Sequence, residues 1–226
     1  MTLPGRSMLD ALHVYDDLEP RSAALNMAVD EALLESAAAP LLRFYGWRRP
    51  AISFGYFGHY VEVADQSSHR EIVRRWTGGG IVPHGEDLTY SVIIPATVPF
   101  FAHSSLEIYA KLHEAIRLGL AANGIEATLA GSAAPKVSAA CFANAVRADV
   151  LSNGQKIAGA AHRRTRGGLL HQGSIQRSDL PNRFRDDFAR ILCERFKRKS
   201  LSAEMLERAT RIAEAKYGTA EWLGRR

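Results

Sequence analysis

The chain has 226 residues, 46% of them hydrophobic and 23% charged, with 29 Lys and Arg against 24 Asp and Glu for a formal net charge of +5. At about 150 residues per domain this length holds one large domain, and the balance excludes disorder, collagen-like repeats and coiled-coil arrays. The mild excess of positive charge favours acidic partners by electrostatic steering, whether nucleic acid, an acidic carrier protein or an anionic small molecule.

In chain order, Ser22 reads as an N-cap, and Leu25, Val29, Ala32 and Leu33 then repeat at helical spacing as far as the Ala37–Ala39 patch before Pro40. From Leu41 to Tyr90 the texture changes. Leu41 to Trp47, Ala51 to Phe54, Glu71 to Trp76 and Leu88 to Ile94 alternate with Gly and Pro and read as strands of one sheet. Ser104 and Glu107 form a capping box, and Ile108, Leu112, Ala115, Ile116 and Gly119 mark one face of a helix ending at Asn123-Gly124. A small-residue loop, Ala130 to Ala140, leads to a hairpin with Asn153-Gly154 as a type I′ turn. That turn sets Leu151 opposite Lys156 and Val150 opposite Ile157. It groups Lys156 with Ala158 on one face, and Ile157 with Val150, Ala148 and Val146 on the other. After Ser174 the pattern is helical again, with Phe184, Phe188, Ile191 and Leu192 on one stripe. The prediction is one α/β (α+β) domain over 1–226, with a helical tail from about residue 176.

No apolar run reaches membrane-spanning length, since the best stretch, Ser91 to Ala102, carries Pro95 and Pro99. Met1 to Asp10 has no sustained apolar core, so a secretory signal is not expected. Cys141 and Cys193 stand far apart with no Cys-x-x-Cys, which argues against a metal site or a disulfide framework and for a reducing, cytoplasmic setting.

Three segments could carry chemistry. Arg74-Arg75-Trp76-Thr77-Gly78-Gly79-Gly80 offers close backbone approach and charge-assisted donors, or else a plain turn between strands. It matches neither a Walker A loop nor a dinucleotide fingerprint. Lys156, two residues past a tight turn and followed by small residues, can hold a carbonyl or developing negative charge, or else guard an exposed strand edge. Cys141 lies in a loop of small residues, where a thiol can be a buried packing group or a nucleophile. Cys193, beside Leu192 on an amphipathic helix, is packing.

Together these segments resemble the lipoate–protein ligase, octanoyltransferase and biotin–protein ligase superfamily from Ser22 to about Ile175. The likeness rests on Asn26-Met27-Ala28-Val29-Asp30-Glu31, Ser53-Phe54-Gly55, Arg74-Arg75-x-Thr77-Gly78-Gly79-Gly80-x-Val82-x-His84, Asp87-Leu88-Thr89-Tyr90-Ser91, Gly154-x-Lys156-Ile157-Ala158-Gly159-x-Ala161 and Leu170-His171-x-Gly173-Ser174. It implies a mixed, mostly antiparallel sheet with flanking helices and an acyl pocket in which Lys156 touches the carbonyl. Arg75, Thr77, Gly78, Gly79, Gly80, His84, Gly159 and Ala161 are then substrate-binding, His84 shaping the pocket or assisting proton transfer. The branch it most resembles is the cysteine-dependent octanoyltransferase, whose nucleophile sits in an Ala-Cys-Phe context before the lysine hairpin, as Cys141 does. The chain departs from that branch at Gly79-Gly80-Ile81, where Gly-Gly-Arg-Ala is usual, and at Pro83.

The resemblance implies an octanoyl (or lipoyl) group passing from acyl carrier protein through a Cys141 thioester to a lysine of a lipoyl domain or a glycine-cleavage H-type protein. No cofactor is then needed and a monomer is expected. The excess positive charge, Arg163 and Arg164 included, suits an acidic carrier. The alternative is a lipoate–protein ligase using ATP and Mg, with Arg74 and the glycine loop around an acyl-adenylate and Cys141 incidental. A nucleic-acid-binding module ranks last, for want of base-reading or stacking motifs.

Overall fold

The structure is a computed structural model that describes residues 7–133 and 145–225. The chain opens with strand β1 (His13–Arg21), helix α1 (Ala23–Ser36), β2 (Leu41–Trp47) and β3 (Ala51–Phe54). Then come β4 (Glu71–Arg74), β5 (Val82–His84), β6 (Leu88–Pro95), α2 (Ser105–Ala122) and β7 (Thr128–Leu129). The second half runs β8 (Val150–Ser152), β9 (Gln155–Arg164), β10 (Gly168–Ile175), α3 (Phe184–Leu192), β11 (Lys197–Lys199), α4 (Ala203–Ile212) and α5 (Ala220–Gly224). Eight strands form the main sheet in the order β11-β1-β2-β6-β10-β9-β8-β7. Within this sheet only β1 pairs in parallel, with β2 and with β11; the rest of it is antiparallel. No helix among the described residues is long and apolar enough to cross a membrane.

The strands expected between residues 41 and 94 do form, but not in one sheet. β3 pairs with β4 and β5 in a separate three-stranded sheet, while β2 and β6 pair in the large one. Local patterning specifies a strand and not its partner, and the space between the two sheets is what this division creates. The sequence pattern also leaves β1, β5, β7, β10 and β11 unmarked, and two of these have a clear reason. In β1 the acidic run Asp16, Asp17 and Glu19 spoils the alternation, yet Asp17 turns inward because the guanidinium of the fully buried Arg43 receives it at 2.7 Å. β11 is Lys-Arg-Lys, exposed throughout, and joins the sheet edge beside β1, so the tail is not helical only. Charged side chains are a usual guard on such an edge.

Helices cover both faces. α2 starts at the expected capping box, with Ser104 accepting from the Glu107 N–H and the Glu107 carboxylate accepting from the Ser104 N–H. Its Ile108, Leu112, Ile116 and Leu120 are fully buried with Val92, Ile94, Leu169 and α3's Phe184 and Phe188. Burying each such side chain contributes about 1.5–3 kcal/mol. α1 lies on the opposite face and is buried nearly all round, because the tail packs over it: Glu31 accepts from Lys216 and from Tyr217 Oη at 2.5 Å.

The Asn153-Gly154 turn has the positive φ of a type I′ hairpin, 50° and 76°. Leu151 pairs with Lys156 as expected, but Val150 pairs with Ala158, leaving Ile157 as the extra residue of a bulge. The expected strand continuation also fails upstream, where Ala148 takes φ 69° and Val146 is exposed.

Candidate active site

The bulge decides where Lys156 points. In an unbroken strand Lys156 would share a face with Ala158, which is buried with Val150 in the α2-side core. One inserted residue transfers Lys156 to the face of Gly159 and Ala161. A Cβ on Gly159 would stand 2.5 Å from Lys156 Cε and 2.7 Å from its Nζ, so glycine is what lets the lysine stem cross the strand there. The side chain is 3% exposed, and its ammonium pairs with Asp149 Oδ2 at 2.8 Å. The edge-guard alternative for Lys156 is thereby replaced by a buried ion pair.

That face of β9 borders a cleft between the two sheets, about 390 Å³ of unfilled space with part of it open to solvent. Gly159, Ala160, Ala161, Gln172, Gly173, Ser174, Thr89, Tyr45 and Trp47 of the main sheet form one wall. Ser53, Arg75, Gly79, Val82 and His84 form the other, and α1 adds Met27. Its mixture of apolar wall with a few polar groups is that of a small-molecule site.

The expected pocket residues fall into two groups. Arg75, Gly79, His84, Gly159 and Ala161 line the cleft. Thr77, Gly78 and Gly80 stand behind them. Buried Thr77 donates to Gln172 Oε1 at 2.8 Å, and the Gly78 and Gly80 carbonyls accept from Arg75 Nη2 at 3.0 and 2.8 Å. The loop rests on β9, where a Cβ on Gly79 would meet the Ala161 Cβ at 3.4 Å. Gly55 explains its own motif, since a Cβ there would sit 2.1 Å from the Gly79 carbonyl oxygen. Arg74 does not face the cleft. Its guanidinium donates to the carbonyls of Tyr56, Gly58, Trp222, Leu223 and Arg225, which ties the C-terminal segment to β4.

A chain of hydrogen bonds sets the second wall. Arg75 Nη1 donates to Ser53 Oγ at 2.6 Å, which directs the Ser53 hydroxyl to His84 Nε2 at 2.6 Å. His84 Nδ1–H is left for Asp87 Oδ2 at 2.9 Å, and its ring stacks on Trp47 with centroids 4.1 Å apart. Asp87 also accepts from Thr89 at 2.8 Å and Ser174 at 2.6 Å, joining the two sheets. Burial opposes its ionisation, but attraction to His84 and the hydrogen bonds from His84, Ser174 and Thr89 outweigh it, holding the carboxyl below the usual range.

Below the cleft, Asp30 of α1 accepts from Arg43 at 2.7 Å, Ser91 at 2.8 Å and Gln172 at 2.8 Å, while Asn26 Oδ1 accepts from Arg43 at 2.9 Å. The Asn-Met-Ala-x-Asp-Glu motif therefore builds the floor. Ser53, Asp87, Gln172 and Ser174 stood inside or beside motifs without being singled out, and Trp47 and Asp149 stood outside them. The available signal was a cluster of polar side chains on segments that alternation marks as strands. Cys141 lies outside the described residues. Cys193 is buried in the α3-side core as expected. Of the arginines expected to meet a carrier, exposed Arg164 donates to the Phe101 and His103 carbonyls. Arg163 lies over the rings of Tyr56 and Trp76.

Comparison with known proteins agrees with this architecture. Residues 22–216 match the Lipoyl protein ligase A/B catalytic domain. The chain is 40% identical over 163 residues to Octanoyltransferase LipM of Carboxydothermus hydrogenoformans, a match covering 68% of this chain and 61% of that relative's length. Against Octanoyltransferase LipM of Lysinibacillus sphaericus identity is 32% over 261 residues, covering 89% of this chain and 94% of the relative. A solved structure of a bi-partite lipoate protein ligase and its E2 lipoyl domain from Thermoplasma acidophilum aligns with TM-score 0.72 over 95% of this chain and 97% of that one, a likeness of fold at 20% identity. With its two sheets, glycine loop and lysine hairpin, the chain belongs to the lipoyl protein ligase A/B catalytic domain family.

Proposed function

We propose that the protein is an octanoyltransferase of protein lipoylation, moving an octanoyl or lipoyl group from acyl carrier protein through a Cys141 thioester to a lysine of a lipoyl domain or glycine-cleavage H-type protein. The observation that carries this reading is the Lys156 ammonium held over Gly159 at the edge of a narrow cleft between sheets. Support for Cys141 comes from the described residues flanking its segment. Ala130 N–H donates to the Asp149 carbonyl at 2.8 Å and Val146 N–H to Asp149 Oδ2 at 2.6 Å, so both flanks meet at the residue whose carboxylate pairs with Lys156. The naming of curated relatives as octanoyltransferases supports the chemistry.

In the first step the Cys141 thiolate attacks the donor thioester carbonyl. The new C–S bond forms, the old one breaks, and the carrier leaves as a thiol after taking up a proton. Lys156 donates to the carbonyl oxygen as negative charge builds. In the second step the acceptor lysine amine attacks the acyl-cysteine, the C–N bond forms as C–Sγ breaks, and the amine proton ends on the departing thiolate. Thioester exchange is nearly balanced and amide formation runs downhill, so no nucleotide is consumed.

Incubation with octanoylated carrier protein and no nucleotide is expected to add one octanoyl mass at Cys141, located by peptide mass mapping, and Cys141→Ser is expected to abolish transfer. An unmodified Cys141, with acceptor loading that requires lipoate and ATP, would establish the ligase reading instead.

A further inference from the structure

Asp149 is a fully buried carboxylate beside Gly159, and its contacts reach three parts of the chain. Its Oδ1 accepts from the Tyr109 hydroxyl at 2.5 Å, and its Oδ2 accepts from the Val146 N–H at 2.6 Å and pairs with Lys156 Nζ at 2.8 Å. The Tyr109 oxygen in turn accepts from the Ala160 N–H at 3.2 Å, on the strand segment that carries Gly159. Carboxylate, phenol and ammonium thus brace α2, the 146–149 segment and β9 against one another. Lysine has a flexible four-carbon stem and does not by itself hold its charge at a fixed point. Here the stem crosses Gly159 and its end is anchored by a carboxylate that is itself held by two other donors. A buried ion pair of this kind adds little net stability over an apolar replacement, so a positional role accounts for it better.

We propose that Asp149, steadied by Tyr109, is the positioning residue of the site, holding the Lys156 ammonium over Gly159 where it meets the acyl carbonyl. The inference rests on the transferase reading, in which Lys156 is the donor to that carbonyl. Asp149 does not touch substrate and acts through Lys156 alone.

A double-mutant cycle tests it, using transfer from octanoylated carrier protein to a lipoyl domain. Asp149→Asn is expected to lower kcat by about tenfold to 100-fold with KM for the donor nearly unchanged, as a misplaced reacting group does. Lys156→Met is expected to be slower still, and the double variant no slower than Lys156→Met, because the two act as a unit. Wild-type kcat in folded Asp149→Asn, or losses that multiply in the double variant, would overturn the assignment. Tyr109→Phe keeps the ring and removes only the hydroxyl. It is expected to lower kcat severalfold with the same non-additivity, and it decides the matter by those criteria if Asp149→Asn does not fold. Wild-type transfer by Lys156→Met would instead refute the role of Lys156 itself.

Discussion

Gly159 is the residue on which the geometry turns most sharply. Its added Cβ would collide with the far end of a flexible side chain and not with backbone, so the fold can absorb it by moving Lys156. Gly159→Ala is therefore expected to leave thermal unfolding within a few degrees of wild type while lowering octanoyl transfer by about tenfold or more, through displacement of the ammonium. Retained transfer would show that the carbonyl is not met there. The contrast with Gly55 is instructive, because a Cβ at that position would meet the Gly78 and Gly79 backbone and would disturb the loop itself. Both glycines sit in motifs visible in the sequence, yet nothing in the motifs says which one makes room for a side chain and which for a main chain.

Among the elements, the β8–β9 hairpin shows how far local chemistry reaches. Asn153-Gly154 adopts the left-handed φ values that the type I′ turn demands, and the pairs next to it, Ser152 with Gln155 and Leu151 with Lys156, are in the expected register. Gly154 has φ 76° with open space around its Cβ position, so Gly154→Ala should cost about 1–2 kcal/mol from backbone strain alone. Urea unfolding should show that loss while kcat stays at the wild-type value, since no neighbour of the site moves. The bulge at Ile157 was not legible, because a two-residue turn sets only the pairs next to it. The choice of Ala158 as Val150's partner comes from the buried cluster that both join under α2. That choice turns Lys156 to the face of Gly159.

For the molecule as a whole, the α2-side core carries an unusual load of imidazole. His162 Nε2 and His171 Nδ1 share a hydrogen bond of 2.5 Å, and His171 Nε2 bonds Tyr90 Oη at 3.0 Å. His113 Nδ1 donates to the Ala148 carbonyl at 2.7 Å, leaving its Nε2 buried without a partner among the described residues. Burial lowers His113 to about 4 against the opposing pull of its hydrogen bond to Ala148 and of Asp149, and it lowers His162 to about 3 and drives His171 well below its ordinary value of 6.5. The unfolded chain takes up these protons near 6.5 and the native state does not, so stability falls as pH drops from about 6.5 toward 4. Asp17 and Asp87, held below 3.8, lose their contributions only at lower pH. Urea midpoints measured between pH 7.5 and 4.5 should therefore fall steadily, and a flat profile would mean that the cluster does not stay neutral.

Taken without coordinates, the chain's periodicities and caps already determined both long helices, most of the strands around the site, the tight turn and the family to which the glycine loop and lysine hairpin belong. These are local properties, set by side-chain spacing and backbone preference within a few residues. Tertiary structure alone decided that β3 leaves the main sheet, that Arg74 holds the tail while Arg75 holds the loop, and that Lys156 meets Asp149 over Gly159. Each of those outcomes depends on partners brought together from distant parts of the chain, where burial fixes which donors must find which acceptors, and no pattern within one segment contains that information.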